Sequence, residues 1–367
     1  MLKNISQLQY INQLDGFRFF AIASVMLAHF ITNEFISRFP FGFGVLFFFV
    51  LSSFLITRIL LNAKKNNEEK ELSNFYSLKH FYIRRSLRIF PIYYVLIIFL
   101  LIVNFSPCRE IFPYLFTYSV NLFISYSHNT SIAGGFSHLW SLSIEEQFYI
   151  LFPFFIFSIK KKHILFFLIS VTLIGLTGRM LLFLYNPSNI ALWNFHSISA
   201  LDSLGIGAIL GYLSLYKLDF LKKIIGNRYL FFLAAFLFLS TMIFSFTIYT
   251  DNLRYNFYSA VLMRFFLNIL SFWILGWAVV IGYKGVIKQI LENRFIVYLG
   301  KISYGLYLYH YFVMSIGNFL LHKYNLHHSM EKKALAYTLI SVLIASLSWH
   351  LFESPINKLK NNFKYIQ

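Results

Sequence analysis

Long apolar runs separated by short polar loops dominate the chain from residue 17 onward. Runs long enough to cross about 30 Å of hydrocarbon at about 1.5 Å per helical residue fall near 17–36, 41–61, 87–105, 139–159 and 164–185. Others follow near 197–216, 229–249, 257–281, 296–321 and 334–352. Only helices or closed barrels satisfy the backbone inside lipid, and runs of this length suit helices. The pattern predicts an all-α, polytopic membrane helix bundle with about ten transmembrane helices. It would be a single domain over 1–367 with its core at about 12–358. The aromatic stretch Ile111–Ser127 is shorter and broken by Pro113, so a re-entrant or interfacial segment is expected there.

The loops predict the orientation. Ten spans put both termini on one side. The loops of that side (the N-terminus, 58–88, 160–162, 217–228, 284–301 and the C-terminal tail) carry about 23 Lys and Arg, against about 6 in the opposite set. Basic residues collect in cytoplasmic loops, so both termini are expected in the cytoplasm.

Composition sharpens this picture. Apolar residues make up 58% and charged residues 13%, where ordinary globular chains carry about 25% charged. Too little polar surface is left for water, so lipid must be the solvent. The net charge of +18 lies in short loops too small to form a nucleic-acid-binding domain. Cys108 is the only cysteine, which excludes an intrachain disulfide and a cysteine metal cluster. A polar lead of about 15 residues without a small-x-small cleavage site predicts that the first helix is retained.

Ionisable residues inside spans are costly and mark pathways or reaction centres. Arg18 and His29 are eleven residues apart, which places them within about 20° on one helical face and roughly 16 Å apart along the axis. Asp15 can pair with Arg18. His29 can take a proton from an alcohol and return it to a leaving group. The plain alternative is a core histidine bonded to a neighbouring helix, with Arg18 snorkelling to the interface. Arg84, Arg85 and Arg88 stand at the mouth of the third span. Arg85 and Arg88 share a face and suit the phosphates of a cytosolic donor, although positive-inside topology also places arginines there.

The fourth span opens with Trp140 and carries Glu145 and Glu146 on adjacent faces. An inter-helix hydrogen bond would account for one of the two acids, so a site role is expected for at least one. In the ninth span Ser303, Tyr307 and His310 share a face, with His310 expected as a structural or substrate-contacting histidine. Gly205, Gly207 and Gly211 predict close helix packing, whereas the preceding Asp202 is harder to assign to packing. His350 and Glu353 close the last span. The spacing of His322, His327 and His328 fits no standard metal site, so a solvated loop and no metal are expected.

With these residues in view, the chain resembles the acyltransferase 3 family of integral membrane acyltransferases over about residues 12–358. The motifs are LDGFRFFAIASVMLAH, GVLFFFVLSSFLIT, FYIRRSLRIFPIYY, HLWSLSIEEQFYILFP, LDSLGIGAILG, GKISYGLYLYHYFV and FESP, in the family's order. The chain departs from the family at Leu46, where many members have Asp, at Ser53, where most have Gly, and at Ala200, where Arg is frequent.

The resemblance implies that His29 is the catalytic histidine with Arg18 its companion. It implies that Arg85 and Arg88 engage the acyl-CoA donor. Glu145 and Glu146 match the WSL…EE motif, and His310 and Glu353 match late polar positions. Asp15, Trp140, Glu146, Asp202, Tyr307, His310 and Glu353 are expected to contact substrate or to support the site, with Glu145 counted among the catalytic groups. The implied protein is an O-acyltransferase of the bacterial cytoplasmic membrane. It would move an acyl group, acetyl in the first place, from cytosolic acyl-CoA to a hydroxyl of a cell-surface glycan or lipid-linked sugar. Acyl-CoA would be a co-substrate and not a resident cofactor. His29 would act as general base, with an acyl-histidine as a variant, and Arg18 would orient the base or stabilise the oxyanion. Some members append a soluble serine-hydrolase-like domain. None is expected after Glu353, so an extracytoplasmic step would use the membrane domain or a separate partner. Two other readings stay open: a transporter or flippase for a polysaccharide or lipid-linked intermediate, and a glycosyltransferase using a lipid-phosphate sugar.

Overall fold

A computed structural model describes residues 10–31, 41–71, 73–247 and 257–363. Helices are the only regular elements among the described residues. Ten of them are long: α1 (Asn12–Phe30), α2 (Gly44–Glu69), α3 (Asn74–Ile102), α4 (Trp140–Ser158) and α5 (Ile164–Tyr185), then α6 (Leu201–Tyr216), α7 (Arg228–Thr247), α8 (Met263–Val280), α9 (Ser303–Lys323) and α10 (Met330–Ser348). Each overlaps one of the apolar runs. Among the described residues, seven helices are long and apolar enough to cross a membrane by length and composition. Helices α1, α4 and α9 are outside that set, and they carry Arg18 and His29, Glu145 and Glu146, and His310. Their polar residues lower hydropathy where the candidate chemistry is concentrated.

Helix ends depart from the apolar runs. Helix α1 begins at Asn12 and not near 17. Its polar first turn is held by the bundle: Gln13 Nε2 donates to the Tyr283 carbonyl (3.1 Å) and to Glu292 Oε1 (2.9 Å), and Tyr283 N–H donates to Gln13 Oε1 (3.0 Å). Helix α2 continues to Glu69 and α3 begins at Asn74, both beyond the apolar stretch. Hydropathy reads the hydrocarbon length, whereas helical hydrogen bonding continues until a cap ends it. At α3 that cap is Ser73, whose side chain accepts from Phe75 N–H (3.2 Å). The run at 296–321 is divided into Arg294–Lys301 and α9, with Ile302 between them. Asn293 opens the first piece by accepting from Phe295 N–H (2.9 Å) and Ile296 N–H (3.4 Å).

The core forms where α6 lies against α2 and α5. A Cβ at Gly207 would collide with the Val50 carbonyl and Ser53 of α2, and one at Gly205 would collide with Thr172 of α5. The glycines therefore serve close packing, as expected. The stretch Ile111–Ser127 folds into two short helices, Cys108–Phe116 and Val120–Tyr126. They are tied to α3 by Tyr93 Oη donating to the Leu115 carbonyl (2.8 Å) and Tyr94 Oη donating to the Phe116 carbonyl (3.0 Å).

Candidate active site

A cavity of about 1110 Å³ lies among α1, α2, α3, α4, α9 and the C-terminal turn Leu359–Asn362. It is somewhat larger than ordinary small-molecule sites, which span about 300–1,000 Å³. From a rim at Lys65, Glu69 and Lys360 it runs inward past Arg85, Arg88 and Arg18 to Ser141 and Tyr307. Seven basic residues line it (Arg18, Arg58, Lys65, Arg84, Arg85, Arg88 and Lys360) against three acidic ones (Asp15, Glu69 and Glu145). That imbalance in a partly enclosed space favours an anion.

The basic groups are held in different ways. Arg18 Nη1 donates to Asp15 Oδ1 (2.5 Å), and the Tyr10 hydroxyl donates to the other Asp15 oxygen. The Arg85 guanidinium carbon sits 3.7 Å from the centre of the Tyr149 ring. Its Nη2 is 3.9 Å from Glu146 Oε1, an ion pair too long for a hydrogen bond. Arg85 Nε and Glu146 Oε1 are buried without a hydrogen-bond partner. The two neighbouring acids thus divide: Glu145 faces the cavity, and Glu146, buried behind it, faces Arg85. Arg84 donates through Nη1 to the carbonyls of Lys360 (3.0 Å) and Phe363 (2.9 Å), which ties the C-terminal turn to the rim.

Beyond the inner end of the cavity lies a cluster of histidines. His29 Nδ1 is 3.0 Å from His310 Nε2, with the rings stacked 5.1 Å apart. His310 Nδ1 is 2.8 Å from the Tyr307 carbonyl. The Tyr307 hydroxyl donates to the His138 carbonyl (2.5 Å) and accepts from Ser141 Oγ (2.7 Å). His138 presents its ring edge-on to His310 at 5.2 Å and stacks on Tyr311 at 5.2 Å. Tyr307 lines the cavity, and His310 lies one turn further along α9, so the cluster adjoins the cavity without opening into it.

The arrangement bears on three of the expected groups. Arg18 does not orient His29: it is bonded to Asp15 and lines the cavity, about three helical turns from His29 by the pitch of α1. A shared helical face brings two residues into line and not into contact. The companion of His29 is His310. Asp202 lies away from the cavity, buried against α5. It accepts from Arg179 Nη2 (2.7 Å), Ser203 N–H (2.7 Å) and Asn268 Nδ2 (3.3 Å), which makes it a structural pair for an otherwise uncompensated arginine. Trp140 is not among the residues lining the cavity and packs between Phe49 (5.9 Å) and Phe195 (4.8 Å), a supporting position.

Glu353 is buried and accepts from Ser348 Oγ (2.8 Å) just beyond the C-terminal end of α10. His322, His327 and His328 are exposed. Among the described residues no group of three His, Cys, Asp or Glu side chains is placed to hold a metal ion. His138 was not singled out by sequence reasoning, although it stands two residues before Trp140 in the motif that opens α4. It precedes the helix, in the turn Gly134–Leu139, so helical spacing could not connect it to the other histidines.

The structure is a helix bundle of the membrane-spanning class, with a cavity rich in basic residues and, adjoining its inner end, a cluster of three histidines. The chain belongs to the acyltransferase domain family, whose model matches residues 11–353. It is 29% identical over 372 residues to a protein of Staphylococcus aureus strain COL provisionally named an O-acetyltransferase, covering 96% of this chain and 58% of that one. It is 26% identical over 374 residues to the O-acetyltransferase OatA of S. aureus strain NCTC 8325 / PS 47, covering 95% of this chain and 58% of that protein. The chain thus spans a little over half the length of these relatives. No solved structure matches it.

Proposed function

We propose that the protein is a membrane O-acetyltransferase that moves acetyl from cytosolic acetyl-CoA to a hydroxyl of a cell-surface glycan or lipid-linked sugar. It would sit in the bacterial cytoplasmic membrane with both termini inside. The observation that carries the reading is a cavity lined by seven basic and three acidic residues whose inner end, at Tyr307, adjoins the turn of α9 that sets His310 against His29. The family membership and the names of the relatives support acyl transfer over translocation.

In this mechanism Arg85 and Arg88 hold the donor's phosphates, and the thioester end extends toward Ser141 and Tyr307. His29 takes the proton of the acceptor hydroxyl as its oxygen attacks the thioester carbonyl. The carbon–sulfur bond then breaks, and His29 returns the proton to the departing sulfur. The products are an acetyl ester and CoA thiol, and the histidine ends as it began. Positioned general-base catalysis contributes about 10²–10⁴-fold. His29→Ala should therefore lower ester formation by at least about 10²-fold while the protein still accumulates in the membrane. Mass spectrometry of envelope glycans, read with alkali-released acetate, makes the measurement. Full acetylation by a membrane-inserted His29→Ala protein would refute the mechanism.

A further inference from the structure

We infer that His310 is a positioning residue that fixes the tautomer of His29, so that Nε2 of His29 is the atom that accepts the hydroxyl proton. The inference rests on the acetyl-transfer reading above. It follows from where hydrogens can be placed. A backbone carbonyl only accepts, so His310 Nδ1, 2.8 Å from the Tyr307 carbonyl, must carry a hydrogen. In a neutral imidazole the other nitrogen is then an acceptor. That nitrogen, Nε2, lies 3.0 Å from His29 Nδ1, so the hydrogen of this contact belongs to His29. Neutral His29 therefore carries its hydrogen on Nδ1 and its lone pair on Nε2. The opposite assignment would set two lone pairs against each other, either at the carbonyl or between the rings.

Burial makes this assignment hard to escape. His310 is fully buried, and the aromatic groups around it are Phe30, His138, Tyr307 and Tyr311. No water is needed to satisfy either of its nitrogens, since both are used. When His29 Nε2 takes the acceptor proton, the Nδ1–H···Nε2 contact becomes a hydrogen bond from an imidazolium, which is stronger than its neutral counterpart. His310 thus favours the charged intermediate without placing a carboxylate next to the base. The proton moves from acceptor oxygen to His29 Nε2 and on to sulfur, and the hydrogen on Nδ1 stays in place throughout.

The test compares wild type, His29→Ala, His310→Leu and His310→Gln in inside-out membrane vesicles from the source cells, supplied with radiolabelled acetyl-CoA. The readout is ester-bound label in the endogenous acceptor, with folded protein quantified by detergent gel filtration. Leucine removes the acceptor, whereas glutamine can present an amide oxygen near the Nε2 position. His310→Leu is expected to lower kcat by about 10²-fold with the donor KM within about twofold, and His310→Gln to recover about tenfold of that loss. A purely structural role would lower the amount of folded protein for both variants and leave the kcat per folded molecule unchanged. If His310→Leu does not fold, the glutamine variant decides: folded and active supports the inference, folded and inactive overturns it. A folded leucine variant with more than about half the wild-type kcat also overturns it. Unlabelled acceptor with the wild type would sink the acetyl-transfer reading itself. Activity in wild type, loss in His29→Ala and no effect at His310 would sink only the inference.

Discussion

At Arg85 the guanidinium carbon sits 3.7 Å from the centre of the Tyr149 ring, while Glu146 Oε1 stands 3.9 Å from its Nη2. A planar cation can stack and still present its edge to a phosphate; an ammonium cannot. Arg85→Lys should therefore preserve the charge yet lose about 1–2 kcal/mol of donor binding. That corresponds to roughly a 5- to 30-fold rise in donor KM, with kcat little changed. Steady-state kinetics in membrane vesicles would show it, and an unchanged KM would exclude the stacked arginine from donor binding. Arg84, its neighbour in sequence, is occupied with the carbonyls of Lys360 and Phe363. The motif RRxxR shows the cluster, but a string of arginines cannot show which one holds the chain and which one faces a ligand.

Among the helices, α6 illustrates how much an element can reveal on its own. Its glycines at 205, 207 and 211 announce a close approach in the sequence, and the structure supplies the partners: Thr172 of α5, and Val50, Ser53, Phe54 and Thr57 of α2. At Gly207 the obstruction is backbone, which cannot rotate away. Gly207→Leu should destabilise the bundle by more than the about 1–3 kcal/mol usual for overpacking. Thermal unfolding in detergent should show a lower midpoint than for wild type, and an unchanged midpoint would mean that α2 and α6 do not pack as described. Asp202, on the same helix, was not legible in this way. Its partner Arg179 is 23 residues away on α5, and no spacing rule spans two helices and a loop. The split between Arg294–Lys301 and α9 was hidden because no proline or polar stretch marks it: Ile302 alone stands between the two helices.

For the whole molecule, the excess of basic residues in one set of loops predicts orientation, and Cys108 makes a direct test practical. It is the only cysteine and is fully buried, so a single introduced cysteine can be labelled against a low background. Asn129→Cys and Lys162→Cys place thiols on exposed positions at opposite ends of the bundle. A membrane-impermeant maleimide applied to intact cells should label the first, and should label the second only after the membrane is opened. The reverse pattern would invert the bundle and put the basic cavity on the outer side, away from any cytosolic donor.

The sequence by itself determined that the chain is a helical bundle in lipid, where its long helices run and which residue types stand at polar positions within them. These are properties of short windows. Transfer from water to hydrocarbon is nearly additive along a helix, and the helical repeat assigns each residue to a face. Only the tertiary structure decided which polar groups meet. Arg18 and His29 share a face of α1 but not a partner, and His29 acquires His310 from a helix that lies 281 residues later in the chain. The physical reason is that a buried hydrogen bond depends on the separation of two atoms to within a few tenths of an ångström. That separation follows from helix crossing, register and side-chain packing together, and none of these is recorded in the periodicity of one helix.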